Sequence, residues 1–357
     1  MLLVVAAGNE GPGAGTVRSP ALAKNVLTVG ATNSAEGDIP KGDVPVDELA
    51  DFSSTGPTMD KRIKPDIVAS GRYILSVGSR TGESCDPPLE SQLPGPGQQS
   101  PAEFGILSLQ GTSMATPVVS GHAALVRQYF LEGWQGDGTK GSATGEDISG
   151  PLLKAILING AQPLAGYGLN QVDNRQGFGR LSLLDSLPLK GHNDLDSAFF
   201  DEDINQTSTN TYEFSIENDK NCTGEAELSA TIVWADPKGH ISCLNCVLDD
   251  LDLFAVQTLS NGTKIEHFPN GLNGPDQLNN VERIRIKASP GDQFVVTVTA
   301  KDLLDGEQTY SFAIVYGCLN HRDRLGLTQS AGRVEKTAGC FAWLFSLIAF
   351  MILAVMW

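Results

Sequence analysis

The sequence predicts an α/β domain, then an antiparallel β-sandwich, then a hydrophobic helix at the C-terminus. Three observations predict this order. Strand-like and helix-like segments alternate up to about residue 190, as in α/β domains. After that, short runs alternate apolar and polar residues between Gly, Pro, Asn and Asp, which is typical of a sandwich. The last 18 residues carry no charge. We assign residues 1–190 to the first domain, 191–318 to the sandwich, 319–339 to a linker and 340–357 to the apolar segment.

The α/β region begins with a buried strand, LLVVAA, which a Gly-rich turn connects to a second strand, NVLTVGAT. The glycines of that turn do not form the G-x-G-x-x-G pattern of a dinucleotide site. Two short strands follow in RIKPDIVASGRYILSVG (62–78), and a loop rich in Pro, Gly, Ser and Gln (80–105) contains Cys85. Further on, PLLKAILINGAQPL predicts a helix with Pro in its first turn.

The segment LQGTSMATPVVSGHAALV predicts a helix from Ser113 to about Phe130. It is apolar on nearly all sides, which predicts a buried helix. Pro117 fits the first turn, where its missing N–H breaks no helical bond. Ser113 then lies at the N-terminus, where unpaired N–H groups and the helix dipole favour negative charge. The simpler alternative is that Thr112 and Ser113 only cap a core helix.

Five motifs occur in a fixed order along this region. They are AAGN (6–9), KPDI (64–67), GTSMATP (111–117), LINGA (157–161) and GFGRL (177–181). With them, most of residues 1–187 resembles the subtilisin-like serine proteases. GTSMATP matches the nucleophile motif of that family at every position, and AAGN matches the strand end that carries its oxyanion-hole asparagine.

The resemblance implies a serine endopeptidase that acts on proteins or peptides and requires no cofactor. It implies that Ser113 is the nucleophile and that Asn9 belongs to the oxyanion hole. The chemistry agrees, because attack on a peptide carbonyl leaves a negative charge on its oxygen, which an amide NH₂ and a backbone N–H at a helix start stabilise. The expected substrate-binding residues are Ala7, Gly8, Gly111 and Thr112.

The residues that would activate Ser113 are absent from the sequence. A serine needs a general base, normally a His oriented by an Asp. In the family these stand in Asp-[Thr/Ser]-Gly and His-Gly-Thr stretches before the oxyanion asparagine, and neither stretch occurs here; His122 is expected to be a packed helix residue. We therefore expect a subtilisin-like domain that is incomplete at its N-terminus and is inactive as given. The alternative is a non-catalytic, membrane-attached protein whose degenerate protease fold serves binding or display.

Shorter motifs characterise the second half. They are TIVWADP (231–237), LDDLDL (248–253), NNVE (279–282) and GEQ (306–308). They resemble the β-sandwich, jelly-roll-like, that follows the catalytic domain in one branch of bacterial and protist subtilases. Asp250 and Asp252 would point to one face of a strand, where they and other carboxylates could bind Ca²⁺. The acidic run DLDSAFFDEDIN could do the same, but we favour solvated acidic turns for both.

Composition and cysteine distribution indicate the compartment. A formal net charge of −17 argues against a nucleic-acid partner. Five of the six cysteines lie at or after Cys222, and N-x-[ST] sequons occur at Asn205, Asn221 and Asn261. Together these features favour an oxidising, secretory compartment and glycosylation.

The cysteines of the sandwich predict two disulfides. Successive antiparallel strands reverse direction, so the connecting loops alternate between the two ends. By this count Cys222 and Cys318 lie at one end, and Cys243 and Cys246 at the other. We predict the pairs Cys222–Cys318 and Cys243–Cys246 among three possible connectivities. Zinc binding is disfavoured, because no second pair of ligands is present.

The segment CFAWLFSLIAFMILAVMW (340–357) predicts membrane attachment. As a helix it would span about 27 Å, slightly less than the hydrocarbon core. No Lys or Arg follows this segment. A membrane span whose folded domains lie outside the cytosol would favour positive charge at its cytosolic end, which is the end of the chain. We therefore favour a glycolipid-anchor signal, with Ser330 as the attachment residue, over a retained span. Either way the folded domains would face away from the cytosol.

Overall fold

The computed structural model describes residues 1–33, 47–77, 106–216, 226–241 and 243–318. The first region contains the strands β1 (Val4–Ala6), β2 (Leu27–Thr32), β3 (Ile67–Ser70), β4 (Ile74–Val77) and β5 (Ile106–Leu109), and the helices α1 (Thr112–Leu131) and α2 (Gly150–Asn159). The second region contains β6 (Asp194–Asn205), β7 (Thr209–Ser215), β8 (Ala226–Trp234), β9 (Asp250–Thr258), β10 (Lys264–His267), β11 (Val281–Ala288), β12 (Gln293–Asp302) and β13 (Glu307–Cys318).

The first region is built on a parallel sheet with the strand order β1–β2–β3. Every residue of β2 is buried, as expected for a parallel strand covered on both faces. Its core joins sheet residues such as Leu27 and Ile67 to Val119 of α1 and Ile156 of α2. The strands β4 and β5 form a separate antiparallel pair. This is the α/β class that the alternation of strands and helices predicts.

Helix α1 differs from the prediction in two ways. Val119 and Val126 are fully buried, but Leu125 and Leu131 are each about half exposed (49% and 50%). The helix is therefore covered on one face only, because an apolar composition does not determine which face a neighbour covers. Pro117 is the sixth helical residue and lies in the second turn. Its missing N–H cannot donate to the carbonyl of Ser113, as an interior helical residue would.

The second region consists of two four-stranded antiparallel sheets, with the orders β10–β9–β12–β7 and β11–β8–β13–β6. Apolar side chains from both sheets form one core that includes Trp234, Phe294 and Phe312. This confirms the antiparallel architecture expected for the second half.

The interpretation of DLDSAFFDEDIN as an acidic turn is wrong, because the whole run forms β6. Strand β6 lies at the edge of its sheet, where it pairs with β13. Phe199 and Phe200 pack against the two cores, while Asp194, Asp201 and Asp203 are among its exposed or partly exposed residues. Because β6 lies at the edge of the sheet and exposes acidic side chains to solvent, its composition is similar to that of a solvated turn.

The sandwich packs directly against α2. Val233, Val281 and Ala313 of the sandwich belong to the core of the first region. The hydroxyls of Ser229 and Thr231 both donate to Asn159 Oδ1, at 2.9 Å each. The two regions thus share apolar and polar contacts that are buried from solvent.

Candidate active site

Ser113 is the second residue of α1, and it is exposed. None of the described residues forms a hydrogen bond with its hydroxyl. Its backbone N–H lies in the first turn, where the helix provides no carbonyl acceptor. Gly111 is the N-cap residue, and no side chain caps the helix. The alternative that Thr112 and Ser113 only cap a core helix is therefore wrong.

The side chain of Thr112 instead binds the end of β1. The Asn9 Oδ1 atom accepts hydrogen bonds from the Thr112 backbone N–H (2.9 Å) and from the Thr112 hydroxyl (3.0 Å). The same hydroxyl oxygen accepts the N–H of Gly8 at 3.1 Å. Because two donors hold Oδ1, the orientation of the amide is fixed and Nδ2 is left as the free donor. Asn9 is exposed, so this donor can reach a ligand beside Ser113.

Two glycines allow the segment that carries Asn9 to lie close to the start of α1. Gly111 has φ 150°, and a Cβ added there would lie 3.1 Å from Asn9 Nδ2. Gly8 has φ 107°, and a Cβ there would lie 2.9 Å from the hydroxyl oxygen of Ser54. Both conformations favour glycine. Ala7 is buried, and its N–H donates to the Val29 carbonyl (2.9 Å), so its side chain is not accessible to a substrate.

A buried ion cluster lies in the scaffold of the site. Asp66, just before β3, accepts from Lys64 Nζ at 2.7 Å, and Lys154 Nζ of α2 lies 3.2 Å away. The Asp66 carboxylate also accepts the backbone N–H of Thr28 at 2.6 Å. Burial lowers the pKa of Lys64 to about 7 against the opposing effect of Asp66. Although burial opposes it, the attraction of the two lysines holds the pKa of Asp66 below its ordinary value. This cluster ties β2, β3 and α2 together.

No histidine in the described ranges is paired with Ser113. His122 lies nine residues farther along α1, about 13 Å along the helix axis. Its Nδ1 atom lies 2.7 Å from the Val118 carbonyl of the same helix. His267 contacts Gln257 in the sandwich at 3.0 Å. Among the described residues, no histidine is therefore placed to take a proton from the Ser113 hydroxyl.

The two aspartates predicted as calcium candidates lie on β9. Asp252 is only 8% exposed, and Asp250 is partly buried. They are not solvated turn residues, so that interpretation is wrong. Glu282, at the start of β11, accepts the Leu253 N–H at 2.6 Å and is fully buried. Across the described ranges, no group of three or more His, Cys, Asp or Glu side chains is placed to hold a metal ion.

The remaining predicted sites are only partly covered by the described residues. A disulfide joins Cys243 to Cys246, with their Cα atoms 5.3 Å apart. The sequon residues Asn205 and Asn261 are both exposed. Outside the described residues lie Cys85, Asn221, Cys222, Ser330, the side chain of Cys318 and the segment 340–357. In the part of the chain that the structure describes, neither helix is long and apolar enough to span a bilayer.

The site can be compared with known proteins. Residues 1–179 match the model of the Subtilase family. The serine protease/ABC transporter B family protein tagA of Dictyostelium discoideum is 31% identical over 280 residues, which cover 74% of this chain and 15% of that protein. The serine protease AprX of Bacillus subtilis is 38% identical over 131 residues, which cover 36% of this chain and 26% of that protein. Among solved structures, Sphericase has a TM-score of 0.32 and 23% identity over 51% of this chain and 48% of its own. The chain thus spans less than a fifth of the length of the first relative.

Proposed function

Because this chain belongs to the subtilase family, we propose that it carries the nucleophile and the oxyanion hole of a serine endopeptidase. Ser113 attacks the carbonyl carbon of a peptide bond and gives its proton to the general base. The tetrahedral intermediate then collapses, the amine leaves with that proton, and water hydrolyses the acyl-enzyme that remains. The backbone N–H of Ser113 and the Nδ2 of Asn9 donate to the oxygen on which negative charge develops. Gly8, Gly111 and Thr112 line this site, and Ala7 supports it through the sheet.

The observation that carries the proposal is the orientation of Asn9. Two donors on Thr112 occupy its Oδ1 atom, at 2.9 and 3.0 Å, so Nδ2 is available to a ligand next to Ser113. In this chain the free donor and the exposed hydroxyl lie at the same helix start.

The general base must come from polypeptide outside the described residues. A serine hydroxyl at neutral pH is a poor nucleophile without one. The chain as given is therefore inactive, and the active protein includes a His oriented by an Asp. Cleavage by this route needs no cofactor, and its substrates are proteins or peptides.

A second candidate is a non-catalytic binding or display protein. The observation that favours it is the lack of a described histidine paired with Ser113. In this case Ser113 and Asn9 would be remnants of a site. In either case we propose that the protein is glycosylated, lies on the extracytosolic side and is attached to a membrane through residues 340–357, with no nucleic-acid partner.

The test is hydrolysis of a protein substrate by the protein isolated from its natural source. Ser113→Ala is expected to abolish hydrolysis, whereas Ser120→Ala is expected to preserve it. Ser120 is a matched control because it is exposed on the same helix and its hydroxyl only donates to the Thr116 carbonyl. Equal hydrolysis by the Ser113→Ala variant would reject the protease assignment and favour the binding protein.

A further inference from the structure

The two donors of the proposed oxyanion hole belong to segments that are far apart in the sequence. Asn9 follows β1, whereas the N–H of Ser113 belongs to the first turn of α1. Thr112 joins the two segments directly through its bonds to Asn9 Oδ1. A misplacement of about 1 Å in a catalytic site can cost about 100-fold in rate. Further contacts that fix both segments therefore bear on the reaction.

The chain on either side of the oxyanion asparagine is held by residues 51–54, which we call the bridge segment. The Ser54 N–H donates to the Gly8 carbonyl at 2.9 Å. The Phe52 carbonyl accepts the N–H of Gly11 at 2.8 Å. These two backbone hydrogen bonds lie on opposite sides of the asparagine, so the bridge segment fixes the backbone that carries it.

The start of α1 is held in a similar way by the bend at residues 71–73. The Gly111 N–H donates to the Gly71 carbonyl at 2.8 Å. Directly after the bend, Ile74 of β4 is the register partner of Leu109 of β5. A Cβ added at Gly71 would lie 2.8 Å from the Gly111 carbonyl oxygen, which shows how closely the two chains approach. The position of the bend therefore determines where α1 begins.

Arg72 links the bend to the bridge segment. Its guanidinium forms an ion pair with Asp51, and its Cζ atom lies 5.4 Å from the ring centroid of Phe52 and 6.0 Å from that of Tyr73. The Arg72 side chain is only 17% exposed, whereas that of Asp51 is 76% exposed. Tyr73 has φ 54°, a conformation that a bulky residue keeps only where its surroundings enforce it. The side chain of Arg72 thus lies between the two aromatic residues and ties the bend to the bridge segment.

We propose that Arg72 is a positioning residue of the oxyanion hole, an inference that rests on the proposed function. Through Phe52 it is connected to the backbone around Asn9, and through Gly71 to the residue before Thr112. Without this link the two oxyanion donors are free to move relative to each other. These donors act mainly on the charge that develops in the transition state, so the link affects the chemical step more than substrate binding.

The test is steady-state hydrolysis of a peptide by the active protein, produced in its natural host with Arg72→Met. Methionine retains apolar packing between the two rings but removes the positive charge and the ion pair. We expect kcat to fall by about 10- to 100-fold, with KM nearly unchanged. Arg72→Lys keeps the charge and is expected to recover part of the loss. The control is Arg127→Met, an exposed arginine of α1 paired with Asp147, which is expected to retain the wild-type kcat and KM.

A pair of inhibitors separates positioning from a loss of stability. The Ser113 oxygen adds to the carbon of a peptide aldehyde to form a hemiacetal, whose oxygen occupies the oxyanion hole. The corresponding peptide alcohol forms no such adduct. Arg72→Met is expected to weaken the aldehyde by about the same factor as kcat and to leave the affinity for the alcohol unchanged. Partial unfolding would instead reduce the amount of active protein and leave both affinities as they were.

The outcomes distinguish this inference from the proposed function. An Arg72→Met variant with the wild-type kcat and aldehyde affinity would overturn the positioning role and leave Ser113 as the nucleophile. A rise in KM at constant kcat would also overturn it, because Arg72 would then act in substrate binding. Hydrolysis that persists in Ser113→Ala would instead reject the protease assignment itself.

Discussion

The α/β region and the sandwich each bury a cluster of charged side chains, and the two clusters differ in how their charges are paired. In the α/β region, Asp66 is bonded to Lys64 and to a backbone N–H, and it forms an ion pair with Lys154. In the sandwich, Asp252 and Glu282 each keep an oxygen without a partner in the described structure. Both clusters are buried, so burial alone does not determine whether a charged side chain is paired.

The candidate active site shows the same contrast between paired and unpaired atoms, on an exposed surface. The Oδ1 atom of Asn9 is paired twice, and its Nδ2 atom is left free, as is the hydroxyl of Ser113. The paired atoms fix the geometry, and the unpaired atoms face outward. We expect the paired groups to contribute to stability and the unpaired groups of the candidate active site to contact a ligand.

The largest effect is expected at the paired cluster. Asp66→Asn leaves two buried ammonium groups without a counter-charge, so it is expected to lower the free energy of unfolding by about 3–5 kcal/mol. Urea unfolding followed by tryptophan fluorescence measures the loss. The control, Asp147→Asn, breaks the exposed ion pair with Arg127 and is expected to change little. Equal losses in the two variants would show that the buried cluster is not part of the scaffold.

At the candidate active site, the expected effect is on the rate at which a fluorophosphonate labels Ser113. In the active form of the protein, Asn9→Ala is expected to slow fluorophosphonate labelling of Ser113 by about 10²–10³, a range that was itself measured in a subtilisin. The free energy of unfolding is expected to fall by about 1–3 kcal/mol, because the variant removes the acceptor of the buried Thr112 N–H.

The control for this prediction is Thr112→Ser, which keeps the hydroxyl that contacts Gly8 and Asn9 and is expected to label at nearly the wild-type rate. An Asn9→Ala variant that labels as fast as Thr112→Ser would remove Asn9 from the oxyanion hole.

The paired cluster also predicts a dependence of stability on pH. The pKa of Lys64 is about 7 in the folded protein and 10.5 ordinarily. Between these values the unfolded chain binds more protons at this residue, so the free energy of unfolding rises with pH, by at most about 1.4 kcal/mol per pH unit. Urea unfolding at pH 7, 8 and 9 measures this slope. Lys64→Met is expected to flatten it, and an unchanged slope in that variant would assign the dependence to another group.

The smallest effect is expected at the contact between the two regions. Ser229→Ala removes a hydroxyl that lies within hydrogen-bond distance of both Asn159 Oδ1 and the Asn159 carbonyl oxygen, while Thr231 still satisfies Oδ1. We expect a loss of about 1 kcal/mol in the free energy of unfolding. A single unfolding transition in both proteins would agree with two regions that unfold together. Two separated transitions would show that this contact does not couple them.

The sequence predicted the α/β class, the antiparallel second half and the position of Ser113 at a helix start. These depend on local patterns, namely strand and helix periodicity and the contiguous GTSMATP motif. It also predicted the family, which the match over residues 1–179 confirms.

What the sequence did not reveal depends on distant contacts. Thr112 orients Asn9 across 103 positions in the sequence, and no spacing rule links the two. Lys154 pairs with Asp66 from helix α2, although a lysine in an apolar helix resembles a surface residue. The exposed face of α1 and the strand β6 were misjudged for a related reason. Composition gives the polarity of a side chain but not which neighbour covers it.

The most direct test of the central claim is to identify the residue that a fluorophosphonate probe modifies in the protein from its natural source. The account predicts a single adduct, on the peptide that contains Ser113, and no adduct on the 357-residue chain alone, because no histidine in its described residues is paired with Ser113. An adduct at any other serine, or none on the natural protein, would contradict the assignment of Ser113 as the nucleophile.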